Sequence, residues 1–202
     1  ISINGKRTIE MDYAQFHPNI LYNLYQVELG NIDAYDRILG PEHRNLSKQI
    51  FSACLNASSE LKRPPKGMKI KQTGKTWKDI KRCLFAAHPQ IKEAFFKDQG
   101  MAVQYYDSQM AEQVMLNFAK AQKPILPVHD SFLELLDNEE LLLKEMQAAY
   151  KSVFGKDVKI DTKKPKFVMK PPPEDIDIDE VLAYSEWLFR NEAADDFQGR
   201  CI

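Results

Sequence analysis

The chain is short of the features that make an assignment easy. Its 202 residues include only three cysteines, Cys54, Cys83 and Cys201, and eight glycines. No apolar run approaches the ~18 residues that a membrane helix needs, which excludes a helical span. The cysteines are widely spaced and match no metal-ligand pattern, so reduced structural thiols in a cytosolic setting are expected. Net charge is also nearly absent, with 28 Lys+Arg against 29 Asp+Glu, and that total argues against a nucleic-acid binder. The start, Ile1-Ser2-Ile3-Asn4-Gly5, has no Met and none of the regions of a signal peptide, so a piece of a longer chain is expected. With 44% hydrophobic residues there is enough apolar material for one domain, or for a domain with an appendage.

The charge is segregated. Between Lys62 and Arg82 lie nine basic residues and one acid, Asp79, whereas Glu174–Ile202 holds nine acids against Arg190 and Arg200. A balanced total therefore conceals a basic stretch and an acidic tail. The basic stretch reads as a loop, because it contains Pro64-Pro65, Gly67 and Gly74.

Periodicity sets out the elements. Ile1–Ile3 and Thr8–Met11 form a hairpin around Asn4-Gly5. Helices are expected from about Pro18, over His43–Asn56, Pro89–Lys97, Asp107–Ala121 and Glu139–Phe154. Val128–Leu136 reads as one strand, with Val158–Ile160 and Phe167–Met169 as edge strands. Pro171-Pro172-Pro173 is a stiff spacer before an acidic helix over Ile176–Arg190. Its Tyr184, Trp187 and Leu188 are too apolar to stay exposed. The order gives an α+β or mixed α/β fold.

Two aspartates stand out. Asp12 closes the strand Thr8–Met11, and Asp130 sits in the apolar run Pro127–Phe132. A carboxylate there is expensive unless it is paired, bound to metal, or capping a turn between two strands. Arg44 and Lys48 are one helical turn apart and share a face. Two carboxylates near two such cations suit a triphosphate with Mg²⁺, the cations taking phosphate oxygens.

The ordered set resembles the signature motifs of family-A DNA polymerases and phage-type single-subunit RNA polymerases. Met11-Asp12-Tyr13-Ala14-Gln15-Phe16-His17 is similar to the palm strand that ends in a metal-binding Asp. Arg44-x-x-x-Lys48 is similar to the fingers helix that holds the triphosphate. Val128-His129-Asp130-Ser131 is similar to the motif that brings the second Asp. Asn31–Tyr35 falls where the family has an Asp-Ile-His segment, and Gln104–Lys120 where a palm helix precedes the last motif. The departures are His17 in place of a Glu that excludes the ribose 2′-hydroxyl, and Asn56 in place of a Tyr. Phe51–Ser59 lacks the family's Gly-containing ending. Ser131 is closer to the RNA polymerases, and Tyr13-Ala14-Gln15 to the DNA polymerases.

The resemblance implies a palm-like antiparallel sheet with packed helices and a small helical fingers subdomain. It places palm and fingers in residues 1–170, fingers roughly 31–100; the acidic tail 171–202, read from its own composition, could cover the basic surface, bind a partner or dock on its own domain, and docking is favoured. It implies a template-dependent nucleotidyltransferase, DNA polymerase favoured over RNA polymerase, acting by a two-metal mechanism. Asp12 and Asp130 would hold two Mg²⁺ ions (Mn²⁺ as the alternative), with Lys48 donating a proton to the leaving group. Tyr13, His17, Arg44, Lys48 and Asn56 would bind nucleotide. His129, Lys69, Lys71 and Lys75 would meet primer-template, and Trp77 would either stack on a base or anchor the loop. The implied setting is a larger chain or replication complex in the cytoplasm of a bacterial, phage or plasmid system, with no membrane partner. Two alternatives stand beside it. One is a catalytically silent nucleic-acid-binding module; the other is a two-metal nuclease, with Glu10 or Glu134 as a further carboxylate.

Overall fold

The structure, a computed structural model, describes residues 2–3 and 6–163. The described residues belong to one compact unit of the chain, Ile1–Pro165. The expected Phe167–Met169 strand, the acidic helix and Cys201 lie outside the described residues.

An antiparallel sheet is built around β2 (Lys6–Tyr13). β1 (Ser2–Ile3) folds back on the start of β2 with Ile3 opposite Lys6, the hairpin that Asn4-Gly5 signals. β4 (Ser131–Leu135) lies along one side of β2, and β3 (Leu126–Val128) lies outside β4. β5 (Ile160–Lys163) covers the other side of β2 over Glu10–Tyr13. Alternation along β2 buries Ile9, Met11 and Tyr13 in the core and turns Glu10 and Asp12 to the opposite face. Where a single strand Val128–Leu136 is expected, two strands flank a turn at His129-Asp130, and His129 takes a left-handed φ of 56°.

The helices are α1 (Phe16–Leu24), α2 (Asp36–Leu39), α3 (Arg44–Asn56), α4 (Trp77–Ala87), α5 (Gly100–Lys120) and α6 (Glu139–Phe154). Pro18 falls in the first turn of α1, where its missing N–H costs nothing. One hydrophobic cluster joins the sheet to the helices. Tyr13 stacks on Phe16 at 4.6 Å and donates its hydroxyl to the Met146 carbonyl of α6 at 2.8 Å.

The edge strand expected over Val158–Ile160 lies at Ile160–Lys163, where it pairs with β2, and three further elements change. The end of the basic stretch, Trp77–Arg82, is the start of α4, opened by a capping box in which Thr76 and Asp79 satisfy each other's backbone N–H. Trp77 is buried there and donates Nε1–H to the Leu61 carbonyl at 2.9 Å, so it is the anchor and not a stacking platform. The expected Pro89–Lys97 helix is a 3₁₀ turn over Pro89–Ala94. Beyond it the Phe96 and Asp98 amides bond the Cys54 and Ala57 carbonyls at the end of α3 instead of continuing a helix. The helix expected from Asp107 starts seven residues earlier, at Gly100.

Candidate active site

The sheet register delivers the aspartates. Asp12, one residue from the end of β2, lies opposite Ser131 of β4 on one side and Asp161 of β5 on the other. Asp130 precedes Ser131 in the β3–β4 turn, so it falls diagonally beside Asp12. The turn is tied by Ser131 Oγ donating to the Val128 carbonyl at 2.9 Å. Arg44 and Lys48 project from successive turns of α3. All four line one cavity of about 700 Å³.

Its electrostatics are those of crowded carboxylates facing cations. The pKa of Asp12 is raised, first by burial and then by the charge of Asp130, while Lys163 and Lys48 oppose the shift. Lys163 Nζ lies 3.8 Å from Asp12 Oδ2 and 2.7 Å from Glu10 Oε1. Asp12 Oδ1 is buried and has no hydrogen-bond partner among the described residues. Asp107, on α5, lines the same cavity, and burial followed by the charge of Asp130 pushes its pKa up to about 6. His17 is shifted down, mainly by burial, and faces the cavity as a neutral imidazole at pH 7.

Arg44 is already engaged. Its Nη2 and Nε donate to Asp33 Oδ2 at 2.9 and 3.2 Å, and the guanidinium lies 5.3 Å from the centre of the Tyr35 ring.

The structure brings together Asp12, Tyr13, His17, Arg44, Lys48, His129 and Asp130. The Tyr13 ring, however, is buried and bonded to Met146, so only its backbone is available to a nucleotide. Asn56 is not on the cavity wall. It is exposed at the end of α3, bonds the Ser52 carbonyl at 2.8 Å, and abuts Gly100, where a Cβ would meet its Oδ1 at 1.6 Å. Its place is at the packing of α3 against α5. Lys69, Lys71 and Lys75 are exposed around the 3₁₀ turn Ile70–Thr73 and do not line the cavity. Glu10 is paired with Lys163, and Glu134 is buried in the core face and accepts from Asn138 Nδ2 at 2.5 Å. Neither serves as a further cavity carboxylate.

Asp107, Asp161, Gln104 and Tyr35 were not singled out by the sequence, yet they line the cavity. Asp107 is the first residue of the helix expected from the sequence, so its place within a longer helix was hidden. Asp161 is legible only once β5 is paired with β2. The donors around Asp12 are hard oxygens, suited to Mg²⁺ more than to zinc. Among the described residues no group of three or more His, Cys, Asp or Glu is arranged to hold a metal, so a metal here would rest on the aspartate pair. No helix of the described residues is long and apolar enough to cross a membrane.

No family model matches the chain, and no curated protein matches it. Among solved structures, it is similar to the POL domain of Pol1 from M. smegmatis in complex with DNA primer-template and dNTP. The TM-score is 0.50 at 13% identity, over 80% of this chain and 40% of that one. The chain thus spans under half the length of that structure's chain, and at this identity the likeness is one of fold. The antiparallel sheet with its packed helices is similar in fold to part of that POL domain.

Proposed function

We propose that the chain is the palm and fingers of a template-directed nucleotidyltransferase of the family-A kind, with residues 31–100 as fingers. It would add deoxynucleotides to the 3′-hydroxyl of a primer in DNA replication. The observation that carries this reading is one cavity with Asp12 and Asp130 on its sheet wall and Arg44 and Lys48 on its helix wall.

Asp12 and Asp130 would hold Mg²⁺, and Asp12 Oδ1, buried and without a hydrogen-bond partner among the described residues, would supply an oxygen to the cation. When bound, two such ions acidify the attacking hydroxyl and neutralise charge on the departing pyrophosphate. The protein's own side chains do the rest. Arg44 and Lys48 face the triphosphate, a bidentate fork and a point charge on one helix. Lys48 Nζ would give a proton to the pyrophosphate oxygen as the α–β bridge breaks. Neutral His17 faces the sugar side. His129, exposed at the turn beside Asp130, would meet the primer end, and Lys69, Lys71 and Lys75 the template backbone.

The test is Mg²⁺-dependent incorporation of labelled dNTPs and NTPs on primed DNA and RNA templates. Asp12→Asn or Asp130→Asn should each reduce incorporation about a hundredfold or more while the fold is kept. Undiminished incorporation by both variants would refute the assignment. Template binding without incorporation by the wild-type chain would favour the silent module. The nuclease reading gains Asp107 and Asp161 as cavity carboxylates, and degradation of the primer in the same assay would favour it.

A further inference from the structure

The cation assigned to phosphate already holds an anion. Asp33 Oδ2 accepts both Nη2–H and Nε–H of Arg44, at 2.9 and 3.2 Å, and Asp36 Oδ1 lies 3.9 Å from Nε. A carboxylate oxygen and a phosphate oxygen make the same geometric demand on a guanidinium. Lys48, one turn further along α3, makes no ion pair among the described residues.

The loop carrying Asp33 is built to hold it there. Asp33 Oδ1 accepts from the backbone N–H of Tyr35 at 2.9 Å and of Asp36 at 3.2 Å, which starts α2. Gln15 Oε1 accepts from the Ala34 N–H at 2.5 Å, and the Arg37 guanidinium holds the Leu29 and Ile32 carbonyls. The two carboxylate oxygens thus have separate duties: Oδ1 fixes the backbone and Oδ2 faces Arg44. The Tyr35 ring under the guanidinium limits where Arg44 can go.

We propose that Asp33 is an intramolecular competitor for the nucleotide's phosphate at Arg44, so that nucleotide binding is an exchange of carboxylate for phosphate. This rests on the nucleotide reading of the cavity. In the exchange the two Arg44–Asp33 hydrogen bonds break, two to a phosphate oxygen form, and Asp33 Oδ2 passes to water. No proton moves. A triphosphate wins because it also engages Lys48; Asp33 sets how tightly it is held. Arg44 and Asp33 are partly exposed, 43% and 22% by side chain. The pair is therefore of modest strength, and its removal tightens binding by about three- to tenfold.

Asp33→Asn separates the two duties, since its amide oxygen can still serve the backbone while its NH₂ faces Arg44 with no acceptor. Asp33→Ser keeps an oxygen for the turn but does not reach Arg44, and gives the same sign. Calorimetric titration with dATP and with inorganic tripolyphosphate is run on wild type, Asp33→Asn, Asp33→Ser, Arg44→Gln and the Asp33→Asn/Arg44→Gln double variant. Both Asp33 variants should bind both probes about three- to tenfold more tightly than wild type. Arg44→Gln should bind them more weakly, and Asp33→Asn should have no effect in its background. Equal or weaker binding by both Asp33 variants, with Arg44→Gln still impaired, overturns the competitor role and leaves the nucleotide reading intact. Indifference of binding to Arg44→Gln overturns the nucleotide reading, and this proposal with it.

Discussion

Asp107→Asn should make the protein more stable at neutral pH and leave it unchanged in acid. The pKa of Asp107 is pushed from 3.8 to about 6, chiefly by burial and then by the charge of Asp130. The folded chain therefore binds this proton more tightly than the unfolded one. Below about pH 4 both states are protonated and the residue costs nothing. As pH rises from about 4 through about 6, the unfolded state loses its proton first and stability falls; above about 6 the loss is complete. Two units would amount to about 3 kcal/mol at full burial. At a cavity wall open to solvent, screening reduces this to about 1–2 kcal/mol. Urea unfolding of wild type and variant at pH 4, 5, 6 and 7 isolates the residue, because the other titrating groups are common to both chains. The difference should be near zero at pH 4 and reach about 1–2 kcal/mol in favour of the variant at pH 7. A difference that is constant with pH, or of opposite sign, would refute the argument.

Asp12→Asn should raise Tm by about 2–4 °C, since it removes a partly buried charge beside Asp130; thermal unfolding at pH 7 checks this. Trp77→Ala should cost about 3–5 kcal/mol, whereas Trp77→Phe loses little beyond the bond to Leu61. If Trp77 only anchors, the folded Phe variant binds single-stranded DNA as wild type does, and a large loss of affinity would speak for stacking. Replacing Lys69, Lys71 and Lys75 together by Gln should lower the slope of log K against log salt by about 2–3 for a DNA template. An unchanged slope removes them from the interface.

Legibility in the sequence followed the range of the interaction responsible. The β1–β2 hairpin and α6 are set by local signals, and their placement follows directly from Asn4-Gly5 and the apolar stripe of Glu139–Phe154. The cavity was legible through Asp12, Arg44, Lys48 and Asp130 because each motif fixes one wall locally. What the sequence hid depends on tertiary pairing. Asp161 enters only through the register of β5 on β2. Phe95 and Phe96 leave the expected helix because their burial and the carbonyls of α3 outweigh local propensity. Thr76 and Asp79 form a capping box that was readable, yet the charge run and the glycines around it drew the segment toward a loop. Tyr13 carries a polymerase-like motif position, but a ring inside the core cannot also face a nucleotide.

The strand that carries Asp12 has consequences for timing. It is held by β4 on one side and β5 on the other, and the Glu10–Lys163 contact joins residues 153 positions apart. Contacts of such long range form late, because a large loop must close before any of them stabilises the chain. During synthesis, then, the helices of the middle of the chain can assemble while the aspartates are still apart. The acidic wall of the cavity is completed only when β5 docks and brings Asp161, so a chain that ends before β5 carries the cavity's cations before its full set of carboxylates.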